Sequence, residues 1–308
     1  MWRRIGVELR ARRLVALGGS VLFAAMAVGC SGGGTPESYL AIGDSYSSGE
    51  GTGDSEGECG RSPSAYPELV AANLTDSGGL QGSGVDDGST GAPFVFEACS
   101  GAEVADVDAQ LDALDGRRFD LMTLTVGGND VGFAEVLVDC VGADDLVGAI
   151  VELDPGRLVD RGCGFDEAEM RSRTSAVEGE LRALYKRIVS EHLTDGGTLL
   201  VLGYPQLFED PAQWEPSEGG RCDGISIADV DLLRSGTESL NGAIENAATS
   251  VDRVTYVDQV GPFEGHGRCS ADPWLNGFKV RPRVLASFHP NEAGHRSSAD
   301  AVVSNMGS

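Results

Sequence analysis

From Tyr39 onward, short apolar segments alternate with longer helical patterns, and this alternation limits the fold more than any other feature of the sequence. Five apolar segments are typical of buried strands: Tyr39–Gly43, Phe94–Phe96, Leu121–Val126, Leu199–Gly203 and Val254–Asp258. Five helical patterns lie between or after these strands, at 65–74, 103–114, 166–193, 226–251 and 289–306, and the longest places its apolar residues on one face. Apolar strands separated by helices predict a parallel sheet covered on both faces. We therefore expect one α/β domain over residues 39–308.

The first thirty residues have the pattern of an export signal. Residues 1–13 are rich in arginine, and residues 14–29 form an apolar stretch that ends in small residues just before Cys30. A basic segment followed by a short apolar one is typical of a signal peptide, and the apolar part is too short for a comfortable membrane span. The residues before Cys30 are similar to a bacterial lipobox, with Ala27 in place of the usual leucine. We predict a lipoprotein signal peptide at 1–29, lipidation of Cys30 and a flexible tether at 30–38, with plain secretion as the alternative.

The cysteines agree with export. The chain has seven, and if Cys30 carries lipid the remaining six are an even number, as expected of an exported protein with disulfides. Sequence alone does not choose among the pairings. The sequence contains no C-x-x-C pair, so we predict no zinc site.

The charge excludes one class of partner. The formal net charge is −25, and the only lysines are Lys186 and Lys279. A chain without a basic patch cannot neutralise phosphates, so we expect no nucleic-acid partner. We expect a monomer whose only connection to a membrane is a lipid on Cys30, located on the extracellular face of the cell membrane or secreted.

Polar and small residues follow four of the predicted strands. Ser45 follows the first in "GDSYSSGEG", Gly101 the second in "EACSGAEV", and Asn129 the third in "GGND". His289 lies in "SFHPNEAGH", after the fifth. Ligands of open α/β sheets bind at the carboxyl ends of the strands, so we expect these four residues at one edge of the sheet.

These residue types suit attack on a carbonyl group. A serine is a weak nucleophile that needs an adjacent base, and His289 is the candidate base. His289 precedes Pro290, which predicts that Pro290 occupies the first turn of a helix. A glycine N–H and an asparagine side chain are suitable donors to the oxyanion that the attack creates.

The four blocks "GDSYSSGEG", the glycine of "CSGA", "GGND" and "HPN..GH" together resemble those of the SGNH hydrolases, the GDSL esterase/lipase family. The resemblance spans Tyr39 to the C-terminus and is closest to the secreted actinobacterial branch with three disulfides. It implies a flavodoxin-like three-layer α/β/α sandwich with a five-stranded parallel sheet. It also implies hydrolysis of carboxylic esters through an acyl-serine intermediate, without a metal or cofactor.

The resemblance assigns roles to individual residues. Ser45 is the expected nucleophile and His289 the expected base, and the Ser45 N–H, the Gly101 N–H and the Asn129 side chain are the expected oxyanion hole. The resemblance also implies three sequential disulfides, Cys59–Cys99, Cys140–Cys163 and Cys222–Cys269.

One departure from the family pattern concerns the group that orients the histidine. Many members have an aspartate three residues before the histidine, where this chain has Ala286. Something must still hold the imidazole in the tautomer that presents Nε2 to the serine. We predict the backbone carbonyl of Ala286 or Ser287, which gives a Ser45–His289 dyad. A carboxylate from Asp258 or Asp272 is the alternative.

The remaining histidines and acids receive other interpretations. We expect His192 and His295 on helix surfaces, while His266 is a rival base from a loop near the site, with Trp274 as either a substrate wall or loop packing. Asp44 and Asp130 are expected to hydrogen-bond within their loops.

The substrate stays open at this point. Lipid acyl esters, short acyl esters and acetylated polysaccharide all suit this scaffold. A lipoprotein that binds glycan without catalysis is a further alternative, although a pure binder has no need for the serine, glycine, asparagine and histidine together. We expect acyl-chain length to depend on the loops at 76–92, 139–164 and 205–224.

Overall fold

The computed structural model describes residues 35–81, 93–140, 167–214, 221–222, 225–279 and 286–307. The predicted signal peptide at 1–29, the predicted lipidation site Cys30 and Cys163 lie outside the described residues. Among the helices in the described ranges, none is long and apolar enough to cross a membrane.

The five predicted strands form one parallel sheet. Their bounds are β1 Tyr39–Gly43, β2 Phe94–Phe96, β3 Phe119–Thr125, β4 Leu193–Leu202 and β5 Val254–Val257. The order across the sheet is β2-β1-β3-β4-β5, and every neighbouring pair is parallel. The predicted α/β class and the five-stranded sheet are confirmed.

Seven α-helices are found in the described residues. They are α1 Ser45–Ser48, α2 Tyr66–Asp76, α3 Val104–Asp112, α4 Phe133–Cys140, α5 Glu167–Glu191, α6 Ile227–Thr249 and α7 Glu292–Asn305. The sequence predicted five of them; α1 and α4 were not anticipated, and both are short.

The helices form a layer on each face of the sheet because alternate strand residues point to opposite faces. Leu40 and Ile42 of β1 belong to a core with α3, α5 and α6. Tyr39 and Ala41, one residue out of step, belong to a second core with α2 and α7. The result is the expected three-layer sandwich.

The prediction for Pro290 was wrong. Helix α7 begins at Glu292, and its N-cap is Asn291, whose side chain accepts hydrogen bonds from the N–H groups of Ala293 and Gly294. Pro290 instead pairs with Leu275 in an isolated antiparallel bridge. His289 therefore lies in a loop, held from outside the helix.

A third apolar cluster packs beneath this loop. It includes Phe288, Phe208, Leu275 and Phe263, all buried. Within the segment predicted as a loop at 205–224, the structure adds one strand of a short antiparallel ribbon, Arg221–Cys222 paired with Ile225–Ser226. The loop before His289 thus rests on its own apolar core at the carboxyl edge of the sheet.

Candidate active site

Ser45 lies where the first strand leaves the sheet. Asp44 caps the short helix α1 by accepting a hydrogen bond from the Tyr46 N–H at 3.0 Å, so Ser45 is the first helical residue. An N–H at this position has no acceptor within the helix. The aspartate cap is the sequence signal that would have predicted α1.

Gly43 sets the direction in which the chain leaves β1 and continues to Ser45. Its φ is +120°, in the region that favours glycine, and a Cβ here would clash with the backbone carbonyl of Thr125. The neighbouring Asp44 N–H donates to that same carbonyl at 2.9 Å. The glycine therefore lets β1 end in close contact with β3.

His289 is in hydrogen-bond contact with Ser45. Its Nε2 lies 2.7 Å from the Ser45 Oγ, and its Nδ1 lies 2.9 Å from the Ser287 carbonyl oxygen. A carbonyl only accepts, so Nδ1 carries the proton and Nε2 is free to accept from the serine hydroxyl. Of the two carbonyls predicted for this position, Ser287 holds the ring, and the Ala286 carbonyl accepts the His289 backbone N–H at 3.4 Å.

Neither alternative carboxylate reaches the imidazole. Asp258 accepts hydrogen bonds from the N–H groups of Val260 and Gly261, each at 2.9 Å. Asp272 lies beside the ring of His266, with 3.5 Å between the Asp272 Oδ2 and the His266 Nδ1. In the described part of the chain, the imidazole of His289 is oriented by backbone alone.

Burial favours the neutral form of this imidazole. It lowers the pKa of His289 to about 4, while the hydrogen bond to the Ser287 carbonyl acts in the opposite direction. At neutral pH the ring is therefore unprotonated at Nε2, which is the state required of a base.

Three N–H groups without a full set of acceptors belong to residues that line the cavity at Ser45. Among the described residues, the backbone N–H groups of Ser45 and Gly101 have no hydrogen-bond acceptor. The Asn129 Nδ2 donates one hydrogen to the Ala102 carbonyl at 2.9 Å, which leaves its second hydrogen free. All three residues line the cavity, so their N–H groups are available to an oxyanion.

A buried polar network that the sequence did not reveal joins the loops carrying Ser45 and Asn129. The Asp44 carboxylate accepts from the Thr125 hydroxyl at 2.6 Å and from the Tyr204 hydroxyl. The Tyr204 oxygen in turn accepts the Gly128 N–H at 3.1 Å. Burial raises the pKa of Asp44 to about 6, and the hydrogen bonds oppose this shift. Asp44 therefore organises the site as a hydrogen-bond acceptor, in agreement with its predicted role.

The sequence contains a signal for Tyr204 as a site residue, namely its position after a strand. Tyr204 comes two residues after the last residue of β4, at the same edge of the sheet as the other site residues. Asp130, by contrast, behaves as predicted, because its carboxylate accepts the Val104 N–H at 3.0 Å and joins the Asn129 loop to the start of α3.

Asn276 connects the serine loop to the histidine loop, and no sequence pattern indicated it. Its Nδ2 donates to the Gly51 carbonyl at 2.8 Å, and its backbone N–H donates to the His289 carbonyl at 2.9 Å. A Cβ on Gly51 would lie 2.8 Å from the His289 Cβ. This glycine therefore permits the two loops to pack together.

The predictions for the other histidines were partly wrong. His192 and His295 are buried rather than exposed. His192 links α5 to β4. Its N–H donates to the Ile188 carbonyl and its carbonyl accepts the Phe119 N–H, and these two hydrogen bonds hold its backbone between the helix and the sheet. His266 stacks on Trp274 with 3.5 Å between ring centroids, and neither residue lines the cavity beside Ser45.

The cavity beside Ser45 has a volume of about 250 Å³ and a mostly apolar lining. Its apolar walls come from α4, α6 and the loops around them, and the apolar side chains there are Phe133, Leu137, Leu207, Leu240, Phe278 and Phe288. Leu207 lies in one of the loops predicted to set acyl-chain length, whereas the contribution of α4 and α6 was not predicted. The cavity can accept an apolar chain that ends at the serine.

Disulfides hold two of the surrounding loops. The structure joins Cys59 to Cys99 and Cys222 to Cys269, the pairs that the resemblance implies. Cys140 is also disulfide-bonded, and its implied partner Cys163 lies outside the described residues. The Ser100 N–H donates to the Cys59 carbonyl at 2.9 Å, so the first bridge steadies the chain directly before Gly101.

A parallel three-layer sandwich with a serine, a histidine and three N–H donors at its carboxyl edge defines a carboxylic ester hydrolase of the SGNH type. The chain belongs to the GDSL-like lipase/acylhydrolase family, whose model matches residues 41–297.

Relatives and solved structures agree with this class. Lipase 1 of Streptomyces coelicolor is 29% identical over 287 residues, covering 91% of each chain, and a lipase of Streptomyces rimosus is 30% identical and covers 83% of this chain and 81% of its own. The crystal structure of the extracellular Streptomyces rimosus lipase covers 87% of this chain and 98% of its own, with a TM-score of 0.63 and 27% identity. Phospholipase A1 from Streptomyces albidoflavus NA297 has the same TM-score and identity and covers 87% of this chain and 99% of its own.

Proposed function

We propose that this protein is an exported serine esterase that hydrolyses lipid acyl esters with a Ser45–His289 dyad. The observation that carries the proposal is the 2.7 Å contact between the His289 Nε2 and the Ser45 Oγ, with Nδ1 held by the Ser287 carbonyl. This arrangement has a nucleophile, a base and an orienting group in the required order.

In the acylation step, the Ser45 Oγ forms a bond to the ester carbonyl carbon while its proton passes to the His289 Nε2. The carbonyl oxygen becomes an oxyanion, stabilised by the N–H groups of Ser45 and Gly101 and by the Asn129 side chain. When the tetrahedral intermediate collapses, the ester C–O bond breaks and Nε2 returns its proton to the leaving alcohol.

Deacylation repeats these steps with water. His289 takes a proton from a water molecule, whose oxygen attacks the acyl carbon, and the Ser45 Oγ leaves with the proton held on Nε2. The Ser287 carbonyl stabilises the imidazolium that forms twice in each cycle, in the place where many enzymes of this chemistry have a carboxylate.

The apolar cavity supports a lipid acyl group as the substrate. Acyl chains of lipids bury apolar surface, whereas an acetyl group on a polysaccharide would leave most of this lining without contact. The relatives named a lipase and a phospholipase A1 are consistent with such a substrate.

The N-terminal segment supports export. One relative is described as an extracellular lipase, and residues 1–29 have the pattern of a signal peptide. We place the protein outside the cell, attached through a lipid on Cys30, with residues 39–308 as the hydrolase domain.

Steady-state hydrolysis of p-nitrophenyl acetate, butyrate and octanoate by the mature protein, with acetylated xylan alongside, tests the proposal. Ser48→Ala is a matched control for Ser45→Ala, because Ser48 is a buried serine of the same helix α1. We expect octanoate to be preferred, and activity to be lost in Ser45→Ala and retained in Ser48→Ala. Equal activity of the two variants would contradict the proposal, and cleavage of acetylated xylan alone would replace the lipid substrate with a polysaccharide.

A further inference from the structure

Tyr46, the residue after the nucleophile, contacts the loop that carries the base. Its hydroxyl donates a hydrogen bond to the Phe288 carbonyl at 2.9 Å, across 242 positions of sequence. Its ring centroid lies 5.0 Å from that of the His289 imidazole. The residue thus spans the space between the nucleophile turn and the base.

The backbone that Tyr46 holds is strained. Phe288 has a φ of +59°, in the left-handed region that a bulky non-glycine residue rarely adopts. Such conformations persist where surrounding contacts over-determine them, and they cluster at functional sites. Two contacts act on this residue, because the Asn276 carbonyl accepts the Phe288 N–H at 3.1 Å and Tyr46 donates to its carbonyl.

The Phe288 backbone determines the orientation of the imidazole. The peptide group before Phe288 contains the Ser287 carbonyl that accepts the His289 Nδ1–H, and the peptide group after it carries the His289 Cα. A rotation about φ or ψ of Phe288 would therefore change the distance between this carbonyl and the ring it orients. No acidic side chain among the described residues is in place to compensate for such a change.

Tyr46 itself is fixed on its other sides. Its backbone N–H donates to the Asp44 carboxylate, and its ring packs edge-on against Tyr204 with 5.0 Å between centroids. Burial, followed by the nearby Asp44 charge, raises the pKa of the Tyr46 hydroxyl, so the hydroxyl keeps its proton and remains a donor.

We infer that Tyr46 is a positioning residue, whose hydroxyl holds the strained Phe288 backbone so that the Ser287 carbonyl keeps His289 aimed at Ser45. The inference rests on the proposed function. In this chain a tyrosine directly after the nucleophile helps to do what a carboxylate side chain does in other serine hydrolases.

The test is Tyr46→Phe, which removes the hydroxyl and keeps the ring that lines the cavity. Tyr39→Phe is a matched control, because the Tyr39 hydroxyl is also buried and hydrogen-bonded, to the Thr123 hydroxyl at 2.8 Å, but lies outside the cavity lining. We expect Tyr46→Phe to lower kcat by about tenfold or more, because small misplacements of a catalytic group are costly, with KM within about twofold of wild type. Tyr39→Phe should keep kcat within about twofold, with any cost confined to thermal stability.

A proton NMR spectrum gives a readout that does not need substrate. The Nδ1–H of His289, hydrogen-bonded to a carbonyl, should give a low-field resonance that is absent in His289→Ala. We expect this resonance to shift or broaden in Tyr46→Phe and to be unchanged in Tyr39→Phe.

Three results would overturn the inference: an unchanged resonance in Tyr46→Phe, an equal loss of kcat in both tyrosine variants, or failure of Tyr46→Phe to fold while Tyr39→Phe folds. The last would show that the hydroxyl holds the fold rather than the base. An inactive wild-type protein would refute the proposed function instead, and the resonance would still test the inference.

Discussion

His289 and His295 lie six residues apart, and burial lowers the pKa of each to about 4, yet the structure uses them in opposite ways. His289 carries its proton on Nδ1 and presents Nε2 to the Ser45 Oγ. His295 accepts the Tyr66 N–H on Nδ1 at 3.2 Å, so its proton is on Nε2, and it joins α7 to α2 in the core. Burial and a lowered pKa therefore do not identify a base; the partner on each ring nitrogen does.

Alanine substitutions at His289 and His295 should show the largest difference between the two histidines. We expect His289→Ala to lower kcat by about 10³-fold or more, because the nucleophile loses its base. His295→Ala should keep kcat within about threefold and lower the Tm by about 3–10 °C, because the buried Tyr66 N–H loses its acceptor. Kinetics and thermal unfolding of both variants check this, and comparable kcat losses would show that His295 belongs to the catalytic machinery.

Asn129 and Asp130 extend the comparison to adjacent residues of one loop. We expect Asn129→Ala to lower kcat by about 10²-fold with little change in KM, because an oxyanion donor acts mainly in the transition state. Asp130→Ala should lower stability through the lost bond to the Val104 N–H and keep kcat within about tenfold. If Asp130→Ala had the larger effect on kcat, loop structure rather than oxyanion binding would explain the loss.

The cavity is lined by His289 and not by His295, and a bulky substitution in its wall should change the substrate preference. Ala134 lines the cavity from α4, whereas Ala109 is exposed on α3 outside it. We expect Ala134→Trp to lower kcat/KM for p-nitrophenyl octanoate about tenfold relative to the acetate, because the chain loses buried apolar contact. Ala109→Trp should leave the ratio unchanged. The same shift in both variants would show that the cavity does not set the preference for acyl-chain length.

The smallest expected effect is a difference between the pH dependence of kcat/KM and the pH dependence of stability. Because the folded pKa of His289 is about 4, protonation of this base should lower kcat/KM only near pH 4, and a decrease near pH 6 would instead report protonation of Asp44. The folded pKa of each histidine lies below the ordinary value of 6.5, so the unfolded state binds more protons and stability decreases as pH falls from about 6.5 towards 4.

The variant His295→Asn isolates the contribution of His295 to the pH dependence of stability. Asp44, whose pKa burial raises to about 6, contributes in the opposite direction, since its share of stability is lost as pH rises through that value. The difference in Tm between wild type and His295→Asn should therefore shift in favour of the variant as pH falls from 6.5 to 4.5. A difference independent of pH would show that the His295 pKa is not lowered.

The sheet could be predicted because its signal is local. β1 and β2 were predicted with their observed bounds, because runs of buried apolar residues bounded by glycine or polar residues need no long-range information. Helices α1 and α4 were missed because they are short, and α1 depends on one aspartate cap rather than on periodicity.

The candidate site was predicted only where its residues follow strands. Ser45, Gly101, Asn129 and His289 do so, and the cavity brings them together. The supporting contacts of Tyr46 and Asn276 join segments distant in sequence, and no local pattern encodes such pairs. Tyr204 follows β4, and that position was a signal that the prediction did not use. His295 was misplaced for the same reason, since its partner Tyr66 lies 229 residues away.

The most direct test of the Ser45–His289 dyad is the rate of covalent labelling by a fluorophosphonate, with the modified peptide identified by mass spectrometry. We predict one adduct at Ser45 in the wild type, none in Ser45→Ala, a rate about 10³-fold lower in His289→Ala and a near-normal rate in His295→Ala. An unlabelled Ser45 in folded, oxidised protein, or equal labelling rates in His289→Ala and the wild type, would contradict the dyad.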